Sequence, residues 1–366
     1  MRIGLVTIYG VPNYGSVLQA YATQKVFELM GQECIILKYN HYKDQMRKSG
    51  TRYKSVLKSL VLDYIPFLKT AKLRKFRNKF FHFSKAFNSI AELKKNNWDD
   101  YDLFVVGSDQ VWNTNFLNGN TAFLLSFVPN GKPRHSLSSS FALKHLPEEY
   151  LGLFRKELSQ FSSLSVREQN GVDIIKRDLH IDKDVKVTLD PTLLIDRSQW
   201  LSLVKSKSET SKPYILVYLW TYAFEPRPYF ERVVEHFQNN TGYEVRVLEG
   251  HRHLGDLKVP FVDDNRSSIS EFIRLFDDAS MVITSSFHGT AFAVNFGKPV
   301  ISIVPDGASD DRQSTLLKSL QLSNCIVRIG DDISKITPYY DVVAEQLLLA
   351  NLREDSLSWI RNRILE

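Results

Sequence analysis

Ser285-Ser286-Phe287-His288-Gly289-Thr290 is the densest chemical segment in this chain of 366 residues. An apolar run, 281–284, leads into it and a second, 291–296, leads out, so a strand delivers hydroxyls, an imidazole and a glycine to the start of a short helix. The unpaired N–H groups of a first helical turn and the positive end of the helix dipole suit a phosphate or a carboxylate, and Gly289 lets such a group approach the backbone. His288 adds a proton or a charge. The plainer alternative makes Ser286 or Thr290 a helix cap and His288 a neutral, hydrogen-bonded ring. A lone histidine favours that alternative, but one set between a strand end and a Gly-containing helix start favours a ligand.

Two arginines stand in comparable places. In Ser165-Val166-Arg167-Glu168 a strand ends in an Arg whose fork suits bidentate phosphate binding, although an ion pair with a nearby acid explains the local sequence equally well. Arg312 opens the apolar helix carrying Leu316, Leu317 and Leu320, where capping by Asp310 or Asp311 is the plainer reading. Near the amino terminus, Asn13-Tyr14-Gly15-Ser16 opens a helix and presents backbone amides. Gly107-Ser108-Asp109-Gln110-Val111-Trp112-Asn113 combines polar groups with one aromatic, a composition that suits sugar hydroxyls and ring stacking; a plain loop around a buried Trp has the same composition.

The elements that must position these groups alternate. Apolar strand runs are expected at 2–8, 34–37, 103–106, 136–141, 163–166 and 185–189, then at 214–219, 244–248, 281–284 and 300–304. Between them fall helical patterns, the first with its stripe on Leu18, Ala22, Val26 and Leu29 and its stop at Gly31; others start near 148, 229, 269 and 290, and a last one covers 342–365. This βα alternation predicts an α/β protein of two doubly wound, Rossmann-like domains with a cleft between the carboxyl ends of their strands. The Ser- and Lys-rich stretch 202–212 is the linker candidate, which divides the chain into 1–200, 210–340 and a carboxyl-terminal helix, 341–366, that packs back on the first domain.

With 43% hydrophobic and 24% charged residues, disorder and disulfide-scaffold classes are excluded. No apolar stretch reaches the roughly 18–20 residues of a membrane span, and the first strand run is too short for a secretory signal, so a cytoplasmic protein is expected. Cys34 and Cys325 each sit in an apolar run and are expected to be buried; no spacing suggests a metal site. The net charge of +6 is local in origin: the stretch 43–95 holds 15 Lys and Arg against 3 acids, leaving 32 against 38 elsewhere. Within a basic insert at about 41–97, Tyr53, Val56, Leu57, Leu60, Val61 and Tyr64 share one helical face, and a second basic helix follows Pro66. A solvated excursion is the plain reading of 53–81, and peripheral contact with an anionic membrane face is the functional one. Nucleic-acid signatures are absent.

Taken in order, the Asn13-Tyr14-Gly15 turn, Val105-Val106-Gly107-Ser108-Asp109, Ser165-Val166-Arg167-Glu168, Leu189-Asp190-Pro191-Thr192, the Thr284-to-Pro299 segment around His288, and Arg312 with Leu316 and Leu317 resemble the polysaccharide pyruvyl transferase family. Many members carry glycines where this chain has Ser108-Asp109-Gln110, and the basic insert matches no motif. The resemblance implies a GT-B-like fold and transfer of pyruvate from phosphoenolpyruvate onto two hydroxyls of a surface or capsular polysaccharide, or of a precursor that is free or lipid-linked, giving a cyclic ketal and phosphate. On that basis Arg167, Ser285, Ser286, His288, Gly289, Thr290 and Arg312 are expected on the donor side, with His288 and Arg167 catalytic. Asn13, Tyr14, Gly15, Ser108, Asp109 and Trp112 are expected on the acceptor side. Neither a redox cofactor nor a metal is implied. A nucleotide-sugar glycosyltransferase of the same architecture, or a silent glycan- or anion-binding protein, are the competing expectations.

Overall fold

The protein is described here from a computed structural model covering all residues except 42–66, 205–211, 222, 250–253 and 306–310. The described chain forms two compact units, each built on a parallel sheet. Met1–Ile65, Arg77–Leu194 and Arg353–Glu366 make the first, and Pro66–Phe76 with Ile195–Leu352 make the second.

In the first unit β1 (Arg2–Val6), β2 (Glu33–Tyr39), β3 (Phe83–Phe87), β4 (Leu103–Val106) and β5 (Arg134–Ser136) form a parallel sheet in the order β3-β2-β1-β4-β5. A further parallel pair, β6 (Leu164–Val166) and β7 (Val185–Val187), lies beside β5, with Ser136 N donating to Ser163 O at 3.2 Å. All four residues of β4 are buried, as expected for a strand covered on both faces.

Helix α1 (Tyr14–Leu29) begins where the Asn13 side chain accepts from Ser16 N at 3.3 Å, and Gly31, at φ 75°, turns the chain into β2. The sequence stripe understates this helix. Nearly its whole first four turns are buried, whereas Leu29, expected on the inner face, is 55% exposed. Helix α2 (Phe67–Phe80) confirms the second basic helix, but its grouping is divided: up to Phe76 it counts with the second unit and from Arg77 with the first. The first basic helix, expected over 53–64, lies outside the described residues.

The chain reaches β6 through α3 (Glu148–Leu158). The second unit carries β8 (Tyr214–Tyr218), β9 (Glu244–Glu249), β10 (Phe261–Asp263), β11 (Met281–Thr284), β12 (Val300–Val304) and β13 (Ile326–Arg328) in the order β10-β9-β8-β11-β12-β13, all parallel. Its connecting helices are α4 (Tyr229–Thr241), α5 (Ile269–Asp278), α6 (Phe287–Asn295) and α7 (Arg312–Ser319). Ser268 and Glu271 form a reciprocal capping box at the start of α5. The last long helix, α8 (Val342–Ile360), runs into a final turn to Leu365, and its end joins the first unit: Leu189 N donates to Ser356 Oγ at 3.1 Å and Arg353 Nε to Leu193 O at 2.7 Å.

Three strands are absent from the sequence expectation, β3, β10 and β13. Each is short and sits at a sheet edge; β3 carries Ser84 and Lys85, β10 is exposed along its whole length, and β13 shows only the brief apolar run at Cys325, shorter than the runs by which buried strands are recognised. Both cysteines are buried and unbridged. Among the described residues no helix is long and apolar enough to cross a membrane.

Candidate functional site

In the second unit the strand register puts chemistry in a row. Glu249 pairs with Tyr218, Tyr218 with Thr284, and Thr284 with Ser302, so the carboxyl ends of β9, β8 and β11 stand side by side next to the middle of β12, each strand about 4.8 Å from the next. In doubly wound sheets ligands bind at this end of the strands.

Helix α6 rises from the row. Thr284 Oγ1 donates to Tyr218 O at 2.7 Å and accepts from Ser286 N at 3.0 Å. Ser285 Oγ donates to Trp220 O at 2.7 Å and accepts from Trp220 N at 2.8 Å, tying the loop after β8 to the turn after β11. Ser286 is the helix cap, its Oγ accepting from Gly289 N at 3.4 Å. The helix therefore starts at Phe287, three residues before the position expected from apolar periodicity, and His288 and Gly289 lie inside its first turn.

Gly289 is required by packing as well as by any ligand, since a Cβ there would sit 2.2 Å from Thr284 Oγ1. Thr290 Oγ1 donates to Ser286 O at 3.2 Å and shares a hydrogen bond with Ser302 Oγ at 2.8 Å, which also accepts from Gln313 Nε2 at 3.0 Å. Arg312 is the first residue of α7 and is buried, as is His288. The sequence alternatives of cap and ligand site are thus not exclusive for Ser286, which caps a helix whose first turn stands at the ligand-binding end of the sheet.

Two residues that sequence reasoning did not select stand at the other end of the row. Lys69 of α2 is buried and paired with Glu249, the last residue of β9, and its Nζ lies 6.0 Å from the centre of the Trp220 ring. Burial raises the Glu249 carboxyl above its ordinary value while Lys69 opposes the rise. Glu249 gave little signal in sequence, since its strand already carries Glu244 and Arg246, and Lys69 gave none, because it is one of many lysines in the insert.

In the first unit the predicted site residues form a buried polar network. Asp109, in the left-handed region at φ 76°, accepts from Ser16 Oγ at 2.6 Å, so the 107–113 loop is joined to the start of α1. Ser108 Oγ donates to Asp190 Oδ2 at 2.6 Å, and the same carboxylate oxygen accepts from Arg167 Nη1 at 2.9 Å. Arg167 also faces Asp109 at 3.7 Å and Glu168 at 3.9 Å.

Two of the expected site residues are buried here. The Arg167 side chain is fully buried and faces carboxylates, the ion-pair alternative of the sequence. Trp112 offers no face to a sugar: it is 1% exposed, donates Nε1–H to Phe123 O at 3.0 Å and packs against Phe141. Tyr14 and Gly15 are likewise buried in α1, while Asn13 is partly exposed at its cap position. Within the second basic helix, Lys72, Lys75 and Lys79 are exposed, in contrast to Lys69.

The family model described as polysaccharide pyruvyl transferase matches residues 13–307. The chain belongs to the polysaccharide pyruvyl transferase family. The match takes in the Asn13 cap, the Asp109 loop, Arg167 and the whole first turn of α6. No curated protein sequence matches the chain.

Among solved structures, UDP-GlcNAc 2-epimerase from Neisseria meningitidis bound to UDP-GlcNAc is 13% identical, with 100% of each chain covered and a TM-score of 0.54. The Methanocaldococcus jannaschii UDP-GlcNAc 2-epimerase in complex with UDP-GlcNAc and UDP is 11% identical, again with 100% of each chain covered, at 0.53. An S. aureus MnaA–UDP co-structure is 12% identical, covering 97% of this chain and 96% of that one, at 0.52. At such identities the likeness is one of fold: this polysaccharide pyruvyl transferase family member has a GT-B-like architecture of two Rossmann-like units.

Proposed function

We propose that the protein transfers pyruvate from phosphoenolpyruvate to two hydroxyls of a saccharide destined for a surface or capsular polysaccharide, forming a ketal and releasing phosphate. The observation that carries this reading is the first turn of α6, in a chain of this family. Capped by Ser286 and opened by Gly289, it carries a buried histidine and stands at the carboxyl end of a parallel sheet. Phosphoenolpyruvate brings a phosphate and a carboxylate. The helix start attracts an anion through its N–H groups and dipole, and Arg312, at the start of α7, adds a full positive charge.

In the proposed reaction C3 of the enolpyruvyl group takes a proton, one sugar hydroxyl adds at C2 and gives up its proton, phosphate leaves with the C2–O bond electrons, and the second hydroxyl closes the ketal with loss of its proton. His288 holds the phosphate or supplies the C3 proton. Arg167 is already matched by acids, so the donor reading does not depend on it. Asn13, partly exposed at its cap position, is assigned to the acceptor side, with Asp109 and Ser108 fixing the 107–113 loop through Ser16 and Asp190.

Titration calorimetry of phosphoenolpyruvate into wild-type protein and His288→Ala tests the assignment, with UDP-sugars and inorganic phosphate as comparators. Phosphoenolpyruvate binding that weakens at least tenfold in the variant is expected, the scale of a lost charge-assisted hydrogen bond. A variant with unchanged affinity and phosphate release rules His288 out. Selective binding of a UDP-sugar replaces the reading with a nucleotide-sugar transferase.

A further inference from the structure

Lys69 lies 180 residues from Glu249 in sequence, in a segment outside the βα repeat of the second unit, yet the fold brings it to the carboxyl end of β9 and buries it there. The neighbouring lysines of α2, Lys72, Lys75 and Lys79, are exposed, and the pair that Lys72 makes with Glu271 lies at the surface. Removing a Lys–Glu pair from water costs several kcal/mol per ion, and apolar residues of similar volume commonly serve stability as well or better. A charge kept in such a place calls for a use. Two observations point to the same one. Glu249 belongs to the row that ends under α6, with Tyr218 between it and Thr284. The Lys69 ammonium also lies over Trp220, whose backbone is clamped in both directions by Ser285, the residue before the α6 cap. Lys69 is thus linked through one residue to the turn that starts the helix.

We propose that Lys69 is a donor-binding residue, with Glu249 as its counter-ion in the unliganded protein, and that it receives the second anionic group of a ligand whose first anion sits at the start of α6. This rests on the donor reading above and deepens it: a ligand with two separated anions is distinguished from a simple phosphate by the cation two strands away. Glu249 is the selectivity element. Its carboxylate holds the ammonium in place and competes with weak ligands for it, so only a group that satisfies the ammonium as well as Glu249 does is bound there.

The test compares phosphoenolpyruvate with inorganic phosphate by calorimetry in wild-type protein, Lys69→Met, Glu249→Gln and His288→Ala, each checked for folding by circular dichroism. Lys69→Met should weaken phosphoenolpyruvate binding by about tenfold, the scale of one charge-assisted contact, while phosphate affinity changes much less. Glu249→Gln, which leaves the ammonium without its competitor, should tighten phosphoenolpyruvate binding; a purely structural pair predicts no tightening. A folded Lys69→Met protein that binds phosphoenolpyruvate as wild type does, while His288→Ala is weakened, overturns this inference and leaves the donor reading standing. If Lys69→Met does not fold, Glu249→Gln decides, and unchanged affinity in that folded variant overturns the inference. Wild-type protein that ignores phosphoenolpyruvate removes the donor reading and this inference together.

Discussion

Gly289 shows how a residue that looks chosen for a ligand can be required first by packing. Its missing Cβ would meet Thr284 Oγ1 at 2.2 Å, Tyr218 Cδ1 at 2.8 Å and Thr284 Cβ at 2.9 Å. Thr284 Oγ1 cannot swing aside without losing its bonds to Tyr218 O and Ser286 N, and those bonds aim the helix start. Gly289→Ala should therefore destabilise the protein by about 1–3 kcal/mol, the range for forcing a methyl into a packed interior. Urea unfolding measures it. Thr284→Ala removes the closest atom, so the double variant should cost less than the two single changes added together. Full additivity would mean that the clash is not what Gly289 avoids. Sequence reasoning found this glycine through its position between a strand and a helix. It could not find its partner, because the contact runs back to Thr284 through the turn geometry.

Among elements, what was legible were the buried strands. β4, β11 and β12 appear with the bounds their apolar runs suggest, since a strand covered on both faces is apolar at every position. The edge strands gave little signal, and α1 hides its true burial because a helix packed nearly all round needs small and polar residues among its apolar ones, such as Thr23, which bonds back to Gln19 O, and Gln19, which donates to Ile8 O beyond β1.

The strand ends of the first unit are where reading by residue type could say least about which groups meet. Arg167 after β6 and Asp190 after β7 were placed in motifs, but nothing in their spacing says that the guanidinium faces Asp190, Asp109 and Glu168 together with Ser108 nearby. One cation among three buried carboxylates is the charge that holds those ends together. Arg167→Met should cost about 3–5 kcal/mol, because it leaves acids buried without their partner. Adding Asp190→Asn should recover part of the loss. A folded Arg167→Met protein with wild-type unfolding free energy would show that the acids are stabilised by other donors alone.

For the molecule as a whole, the described histidines and carboxyls set how stability responds to acid, and two strongly shifted histidines both lie in the first unit. His41 and His135, both in the first unit, are lowered by burial from 6.5 to about 4. His41 packs by the Phe123 ring, and His135 Nδ1 meets Ser163 Oγ at 2.8 Å. Between those pH values the unfolded chain binds the protons and the folded unit does not, so the stability present above pH 6.5 is lost as pH falls towards 4. Going from pH 7 to pH 5 should remove about 2 kcal/mol per histidine by this linkage. The carboxyls of the second unit divide: Glu249 and Glu231 are raised by burial and favour that unit on acidification, whereas Glu271, lowered by Ser268 and Lys72 against its burial, and Asp332, lowered by its Ser334 hydrogen bonds, act the other way, so their effects partly cancel. Pulsed hydrogen exchange in urea, labelled at one common pH after equilibration at pH 7 or pH 5, reads the units separately. Peptides from β1, β4 and β5 should open at lower urea at pH 5, and those from β8 and β11 should shift less or not at all. In a His41→Phe, His135→Asn protein the difference between the two sets should shrink, since neither replacement takes up a proton in this range. An equal acid shift in both sets of peptides, unchanged in that double variant, would place the acid sensitivity in groups other than these histidines.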